Sequence, residues 1–251
     1  MKRIRKIEIT NISKLSPNMK RFTFFSKDLS DFPENENGGY VKFLFPKNRS
    51  DKENSLARPY TIRNFRKKEL ELDIDFSYHS GNQGYATKWA SKAKIGDEIL
   101  ISGPGSKQKI NINSKWFFFV GDMTALPAIS SYLEELPKEA TGFAVIEITS
   151  NGDKVNLKKP ARLKIKWVVK SKQDKNIKKL INAVRRINWL DQNPYVWVAC
   201  EFSKMKDLRD FFQKERKISK KEMYISSYWK LGLDQEEHKI VKKEDSIKWG
   251  G

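Results

Sequence analysis

A guanidinium, a planar phenol ring and a hydroxyl lie within four residues at Arg58-Pro59-Tyr60-Thr61. A guanidinium pairs with phosphate through a planar fork of N–H donors, and an aromatic ring packs on a flat heterocycle. A hydroxyl can hydrogen-bond the edge of a ring. This set of groups suits a flavin nucleotide. An ordinary surface arginine beside a core tyrosine would produce the same segment, so both interpretations stay open at this point.

A second segment combines polar residues with a glycine-rich turn before a short helix. Asp75-Phe76-Ser77-Tyr78-His79 leads through Ser80-Gly81-Asn82-Gln83-Gly84 into the predicted helix Tyr85–Ala93. Glycine lets a ligand approach the backbone, and the free N–H groups of a helix N-terminus bind anions such as a pyrophosphate. His79 is expected to pack or hydrogen-bond, because no nucleophile or paired carboxylate is evident near it in the sequence.

A third segment, Gly121-Asp122-Met123-Thr124-Ala125-Leu126-Pro127-Ala128, joins a continuous apolar run to a predicted helix. In an open parallel sheet, ligands bind beyond the carboxyl ends of the strands. The segment therefore predicts a nucleotide site. It has neither the Gly-x-Gly-x-x-Gly pattern nor a phosphate-binding loop that ends in Gly-Lys-Ser/Thr, and a simple strand-to-helix turn fits it equally well.

The first two segments must be positioned by short β-strands. Turn residues separate six segments of strand character in residues 1–110, and Tyr85–Ala93 is the only helical pattern among them. This organisation predicts a six-stranded antiparallel Greek-key barrel. The predicted strands are Lys6–Asn11, Arg21–Ser26, Tyr40–Phe45, Tyr60–Asn64, Glu69–Phe76 and Glu98–Ser102.

The third segment belongs to a region, residues 111–251, in which predicted strands alternate with predicted helices. This alternation is typical of a Rossmann-like parallel-sheet domain, here with a C-terminal tail. The predicted strands are Trp116–Val120, Phe143–Thr149, Ile165–Val169, Tyr195–Cys200 and Met223–Ser226. The predicted helices are Thr124–Leu136 with Thr124 as its cap, a segment with the apolar stripe Ile177, Leu180, Ile181, Val184 and Ile187, and Lys204–Glu215.

Composition restricts the classes of function that remain. The 251 residues include 50 Lys and Arg against 31 Asp and Glu, which gives a formal net charge of +19 and calls for an anionic partner or substrate. One cysteine permits no disulfide within these residues, and with two histidines it leaves no cluster for a zinc or iron–sulfur site. Because no window of the chain is apolar enough to span a membrane, the protein is expected to be soluble and cytoplasmic.

Four motifs together resemble the siderophore-interacting protein family, the ferric-siderophore reductases related to ferredoxin-NADP reductases. The resemblance covers nearly the whole chain and includes the three segments above, in the family's order, and Tyr228-Trp229-Lys230-Leu231-Gly232. It implies an FAD-binding barrel in residues 1–110 and an NAD(P)H-binding domain in residues 111–251. Electrons would pass from NADPH or NADH through FAD to siderophore-bound iron(III), and iron(II) would be released for iron assimilation.

The resemblance also implies where the cofactors bind, and because the flavin carries the chemistry it implies no catalytic side chain and no protein-bound metal. The FAD contacts would be Arg58, Pro59, Tyr60 and Thr61 along the flavin, Asp75, Phe76 and His79 beside it, and Gly84, Tyr85, Ala86 and Thr87 at the pyrophosphate, with Trp89 packing their helix. Thr124 and Ala125 would face the nicotinamide, and Tyr228 and Trp229 would close the cleft. Met123 stands where the family usually has an acidic residue.

Substrate binding follows from charge, because many ferric siderophores are anionic. The candidate substrate-binding residues are Lys42, Lys47, Arg49 and Lys230. Lys170 and Lys172 follow a predicted strand where a cation can bind the 2′-phosphate of NADPH, but NADH stays an equal option. The chain is expected to act as a monomer, without nucleic acid or membrane.

Two alternatives remain open on the sequence alone. The first is a related flavin reductase that acts on a quinone, free flavin or an electron carrier. The second is a nucleic-acid-binding protein, because a basic chain with seven tryptophans could contact phosphates and stack on bases. Trp116, Trp167 and Trp197 lie in apolar strand patterns, which favours core positions for them over base stacking.

Overall fold

The computed structural model describes residues 3–46, 55–78, 84–171, 173–174 and 176–250. The chain divides into two compact units. Unit 1 consists of Met1–Lys109, Pro127–Leu133 and Val155–Leu157, and unit 2 consists of Ile110–Leu126, Glu134–Lys154 and Lys158–Gly251.

Unit 1 is an antiparallel sheet of seven strands, which are β1 (Ile4–Ser16), β2 (Met19–Phe25), β3 (Tyr40–Pro46), β4 (Ser55–Thr61), β5 (Asn64–Arg66), β6 (Glu71–Ser77) and β7 (Glu98–Gly105). Their order is β4-β3-β7-β1-β2-β6-β5. The two edge strands follow one another in the chain with only Ile62 and Arg63 between them, so the edges of the sheet meet. This closure gives the predicted barrel, which has six strands if β4 and β5 are counted as one bent strand.

The predicted strand Tyr60–Asn64 is wrong in its bounds. The chain pairs with β3 as far as Thr61, bends, and then pairs with β6 from Asn64 onward. The motif that begins at Arg58 therefore lies at the end of β4, whereas the predicted strand begins within the motif, at Tyr60. Pro59 is compatible with this place because an edge strand loses no ladder hydrogen bond to a proline.

The core of unit 1 is strongly aromatic. Phe22 and Phe24 of β2 and Phe43 of β3 are fully buried, which follows from the period of two along a half-buried strand. One helix, α1 (Tyr85–Lys92), packs on this core through Trp89. The helix predicted at Tyr85–Ala93 is thereby confirmed, with Ala93 as the residue that ends it.

Unit 2 is a sheet of five parallel strands, which are β8 (Phe117–Gly121), β9 (Gly142–Ile148), β10 (Leu163–Val169), β11 (Tyr195–Glu201) and β12 (Met223–Trp229). Their order is β10-β9-β8-β11-β12. Every residue of β8 and β11 is buried, as expected for central strands that are covered on both faces. The predicted Rossmann-like fold is confirmed.

Among the described residues after β8, four α-helices alternate with the strands, namely α2 (Leu126–Glu135), α3 (Lys179–Arg185), α4 (Phe202–Asp210) and α5 (Gln235–Lys248). Ile177 was expected on the buried stripe of α3, but it precedes the helix and is 69% exposed. The predicted helix Lys204–Glu215 begins two residues earlier and changes into a π-helical segment at Phe211–Glu215, which keeps Phe211 and Phe212 buried. No helix among the described residues is long and apolar enough to cross a membrane.

Helix α5 lies where the sequence predicts only a C-terminal tail. Asp234 begins this helix with a capping box, in which its carboxylate accepts hydrogen bonds from the N–H groups of Glu236 and Glu237. His238 is its one buried residue and Val241 packs partly buried against the core, while Arg209 donates two hydrogen bonds to Asp245 at 2.6 and 2.9 Å. Because so few apolar residues of α5 face the core, its sequence lacks the apolar stripe from which an amphipathic helix is predicted.

Candidate functional site

The motif at the end of β4 presents its side chains to both faces of the strand. Arg58 lies opposite the fully buried Phe43 in the β-ladder, so Arg58 and Tyr60 share the inner face. Pro59 and Thr61 lie on the other face. The structure therefore brings the guanidinium and the phenol ring of the motif together and separates them from the hydroxyl.

Asp75 and Phe76 also lie on opposite faces of their strand, β6. The ring of Phe76 is in the barrel core and stacks on Tyr60, with 4.1 Å between the ring centroids. Both carboxylate oxygens of Asp75 accept hydrogen bonds from Arg21, at 2.7 and 2.9 Å. Burial raises the pKa of the Tyr60 phenol above its ordinary value, so this group stays protonated at neutral pH. Direct contact of Asp75 or Phe76 with a flavin stays a prediction.

The start of α1 is open to a ligand. Gly84 is its N-cap, with an ordinary φ of −62°, and a Cβ added there would meet no described atom within 4 Å. Neither backbone strain nor packing therefore requires a glycine here. Tyr85 is exposed, Thr87 is partly buried and Ala86 is buried, and the first turn holds no acidic residue. The N–H groups at this start fit a pyrophosphate, because the residue before them has no side chain to cap them.

Two aromatic residues hold α1 on the barrel. The ring of Trp89 lies 5.8 Å from the rings of Phe22 and Phe76, measured between centroids. The hydroxyl of Tyr78 donates to the carbonyl oxygen of Ala90 at 3.0 Å. Burial raises the pKa of Tyr78 to about 12, so its phenol keeps the proton that it donates. The open start of α1 is thus attached to the same core that positions Tyr60.

The segment after β8 lies at the carboxyl edge of the parallel sheet. Asp122 is buried, and its Oδ1 accepts hydrogen bonds from the backbone N–H of Thr124 at 2.9 Å and from the Thr124 hydroxyl at 2.5 Å. Its backbone carbonyl accepts from the N–H groups of Ala125 and Leu126. The expectation that Thr124 caps α2 is therefore wrong, because the hydroxyl of Thr124 donates to Asp122 and the helix begins only at Leu126. Ala125 is fully buried.

The neighbouring strand ends are attached to this segment. Oδ2 of Asp122 accepts from the backbone N–H of Glu201 at 3.0 Å and from the indole N–H of Trp229 at 2.8 Å. Glu201 caps α4, because its Oε2 accepts from the N–H groups of Ser203 and Lys204. The ring of Tyr228, which precedes Trp229 on β12, lies edge-on to a core tryptophan.

A buried ion pair lies at the end of β9 in the same unit. Glu147 accepts a hydrogen bond from the ammonium of Lys204 through Oε1, and its Oε2 is buried without a partner among the described residues. Burial raises the pKa of Glu147, against the effect of Lys204. Burial lowers the pKa of Lys204, but the charge of Glu147 outweighs it and the net shift is upward. Cys200 is fully buried, and burial raises the pKa of its thiol, so it is an unreactive core residue.

The candidate substrate-binding lysines are distributed over both units. Lys42 is partly buried on the outer face of β3, and Lys230 follows β12 with its ammonium 4.7 Å from the ring of Phe202. Lys47, Arg49 and His79 lie outside the described residues, as does Lys172. In the described part of the chain, no group of three His, Cys, Asp or Glu side chains could hold a metal ion.

Three residues that hold the predicted site segments in place were not among the predicted site residues: Arg21, Tyr78 and Asp122. Arg21 contacts Asp75 across neighbouring strands and Tyr78 contacts Ala90 in α1, and no local pattern reveals either contact. Asp122 was visible in its motif, but two of its partners lie 79 and 107 positions away in the chain. A signal existed only for Asp122, as the polar residue that directly follows a fully apolar strand.

Comparison with known proteins covers both units. A family model described as siderophore-interacting protein matches residues 114–232. A model described as siderophore-interacting FAD-binding domain matches residues 8–55 and 49–108. The two models together extend over most of the chain.

Individual relatives agree with these matches. The ferric vibriobactin reductase ViuB of Vibrio cholerae is 31% identical over 259 residues, with 92% of each chain covered. The NADPH-dependent ferric-chelate reductase of Escherichia coli is 24% identical over 162 residues, which cover 63% of this chain and 61% of that protein. The crystal structure of the siderophore-interacting protein SipS from Aeromonas hydrophila has a TM-score of 0.87 and 28% identity, covering 98% of this chain and 99% of that one.

Proposed function

Because the chain belongs to the siderophore-interacting protein family, we propose that it is an FAD-dependent ferric-siderophore reductase, an oxidoreductase that takes electrons from NAD(P)H and releases iron(II). The observation that carries the proposal is the open start of α1. Gly84 leaves the N–H groups of the first turn accessible, and no acidic side chain of that turn competes for them. Such a start binds a pyrophosphate, the part of FAD that joins its two halves.

The residues of unit 1 have distinct roles in this proposal. Arg58 and Tyr60, on one face of β4, bind the phosphate and the flavin side of the cofactor, and Gly84 to Thr87 bind the pyrophosphate. Trp89 and Tyr78 hold α1 in place. Bound FAD supplies the redox chemistry, since it accepts a hydride as an electron pair and passes electrons on singly. The protein then needs no catalytic acid, base or nucleophile of its own.

The carboxyl edge of unit 2 is the proposed site of the nicotinamide coenzyme. Thr124 and Trp229 meet there through Asp122, beyond the ends of parallel strands, where such sheets bind nucleotides. We infer that NADPH is the donor. Lys170 directly follows β10 and donates its N–H to Ile148 at the end of β9, which puts a cation at the edge where a 2′-phosphate is recognised. The Escherichia coli relative is likewise named for NADPH.

The substrate in this proposal is an anionic iron(III) siderophore. The siderophore surrounds the metal, so the protein needs no metal ligands of its own. The net charge of +19 raises the local concentration of anions. Lys42 and Lys230 are the described candidates for direct contact, and Lys47 and Arg49 are further candidates on the sequence.

The test is an anaerobic redox experiment on the full chain loaded with FAD. NADPH should bleach the flavin absorbance, and ferric siderophore should restore it while a ferrous chelator traps iron(II). NADH should act more slowly than NADPH. A chain that binds no FAD, or a bound flavin that reduces quinones and free flavin but no ferric siderophore, would contradict the proposal.

The role of the lysines can be tested with a charge-matched control. Lys42→Gln and Lys230→Gln should each raise the KM for the ferric siderophore several-fold. Lys164→Gln removes an equal charge from the exposed side of β10 and should leave the KM unchanged. Equal effects of all three substitutions would show that only the total charge matters.

A further inference from the structure

The carboxylate of Asp122 is the most fully hydrogen-bonded group at the carboxyl edge of unit 2. It is 6% exposed and accepts four hydrogen bonds, two on each oxygen. Oδ1 accepts from the N–H and the hydroxyl of Thr124, and Oδ2 accepts from the N–H of Glu201 and the indole of Trp229. An ionised carboxylate has about four acceptor positions, so Asp122 is saturated.

These four bonds connect three strands that are neighbours in the sheet. Asp122 directly follows β8, Glu201 is the last residue of β11, and Trp229 is the last residue of β12. Thr124 lies in the turn between β8 and α2. One carboxylate therefore fixes two side chains from separate elements, Thr124 and Trp229, at the edge where a parallel sheet binds nucleotides.

The chemistry of the four donors requires an acid at this position. An indole N–H and a backbone N–H can only donate, so each oxygen of Asp122 must accept. An asparagine has the same size but only one acceptor oxygen, and its amide group would face two donors on the other side. The change would therefore release either the Thr124 side or the Trp229 side without creating a cavity.

We propose that Asp122 is a positioning residue for hydride transfer, which holds Thr124 and the indole of Trp229 where they receive the nicotinamide of NAD(P)H. This inference rests on the proposed function. Asp122 itself is buried behind its partners and acts through them. Loss of its carboxylate should slow the reduction of the flavin, because that step depends on the angle and distance of the nicotinamide. The oxidation of the flavin by iron(III) should not change.

The experiment measures the two half-reactions separately in the FAD-loaded Asp122→Asn variant, by anaerobic stopped-flow absorbance. The limiting rate of flavin reduction at saturating NADPH should fall about tenfold or more, with a smaller change in the Kd for NADPH. After reduction with dithionite, reoxidation by ferric citrate should stay within about twofold of the unsubstituted protein. Equal slowing of both half-reactions, or of neither, would overturn the inference.

Asp245→Asn is the matched control, because it removes the charge of another carboxylate of unit 2 that accepts two hydrogen bonds, from Arg209. It should lower stability and leave both half-reactions unchanged. If a loss of stability in unit 2 were enough to slow flavin reduction, Asp245→Asn would slow it as well. If NADPH does not reduce the flavin of the unsubstituted protein, the proposed function fails. If NADPH reduces the flavin of Asp122→Asn at the normal rate, only the inference about Asp122 fails.

Trp229→Phe keeps the inference testable if Asp122→Asn does not fold. It removes the indole N–H and keeps a ring, and the reduction rate should fall several-fold while reoxidation stays constant. Where Asp122→Asn does fold, the loss in the double variant should be smaller than the product of the two single losses, because both substitutions remove the same hydrogen bond. Independent losses would show that Asp122 does not position Trp229.

Discussion

The start of α1 in unit 1 differs from the starts of α4 and α5 in unit 2 in what satisfies the N–H groups of the first turn. In unit 1, α1 begins after Gly84, which has no side chain, and its first turn holds no acidic residue. In unit 2, α4 and α5 begin at Glu201 and Asp234, and each of these carboxylates accepts two N–H groups of its own helix. The start of α1 therefore has no side-chain cap, whereas these two starts of unit 2 are capped by the chain itself.

The difference matches two ways of using a nucleotide. A cofactor that stays bound can supply hydrogen bonds that the protein lacks, so its binding also stabilises the fold. A coenzyme that must leave after each turnover is better served by an edge that is already ordered. The carboxylates of Asp122 and Glu201 provide that order in unit 2. We therefore expect FAD removal to loosen unit 1 and coenzyme removal to leave unit 2 unchanged.

Trp89→Ala should have the largest effect on this comparison. The substitution removes a ring that packs against the aromatic core, so the free energy of unfolding should fall by about 3 kcal/mol and FAD should bind poorly. Trp189→Ala is the control, because Trp189 is likewise partly buried and its ring lies 5.0 and 5.8 Å from the rings of Trp116 and Phe118 in the core of unit 2. It should cost comparable stability without loss of FAD. Urea unfolding and flavin fluorescence measure the two effects, and FAD loss in both variants would abolish the distinction between the units.

Glu201→Ala tests the opposite side of the comparison. The substitution uncaps α4 and removes a contact to the N–H of Leu231, so stability should fall by about 2 kcal/mol. The affinity for FAD should stay the same, since its proposed contacts lie in unit 1. Asp234→Ala, at the exposed start of α5, should cost less. Calorimetric unfolding and FAD titration are the measurements, and a parallel loss of FAD affinity would contradict the separation.

Acid should weaken unit 2 through His238. This side chain is buried with its Nε2 2.8 Å from the hydroxyl of Ser227, and burial, with smaller effects of Lys242 and Lys230, lowers its pKa to about 4. The unfolded chain takes up a proton near pH 6.5 and the native chain only near pH 4, so stability falls as the pH drops between these values. Between pH 7 and pH 5 the loss should be about 2 kcal/mol.

His238→Gln isolates this contribution because glutamine does not titrate. Urea unfolding at both pH values should show a smaller acid loss for the variant than for the unsubstituted protein. Identical losses would assign the acid sensitivity to other groups.

Tyr78→Phe should have the smallest effect, and it acts on unit 1. The substitution removes the hydrogen bond to the carbonyl of Ala90, with a loss of about 1 kcal/mol and a few-fold weaker FAD binding. Tyr132→Phe removes a similar bond to the carbonyl of Gln108 and should lower stability alone. Equal FAD affinities in the two variants would show that Tyr78 does not position the helix start.

The sequence predicts most strands of both units because their patterns are local. Thr23 separates Phe22 from Phe24 as in a strand with one buried face, and the apolar run through Val120 is typical of a strand buried on both faces. Helix α5 has no such pattern, since it is attached by polar groups such as Arg209 and Asp245. The bend at Ile62 and Arg63 escaped prediction because it depends on a change of partner strand.

The residues of the candidate site also fall into those that a local motif reveals and those that only the fold brings together. Arg58, Gly84 and Thr124 stand out in local motifs, so residue types alone direct attention to them. The bond between Asp122 and Trp229 spans 107 positions, and only the order of the parallel strands brings the two together. Sequence thus indicates the segments that are proposed to meet the cofactors, whereas the groups that hold these segments become visible in the fold.

The central claim, that the start of α1 holds the pyrophosphate of FAD, is tested most directly by Gly84→Asp with two ligands. Aspartate adds a negative charge and a capping side chain at a position where the helix itself tolerates it. The account predicts that the Kd for FAD rises about 100-fold, or roughly 2.7 kcal/mol, while riboflavin, which has no phosphate, binds within about twofold of its original affinity. An unchanged Kd for FAD, or an equal loss for both ligands, would contradict it.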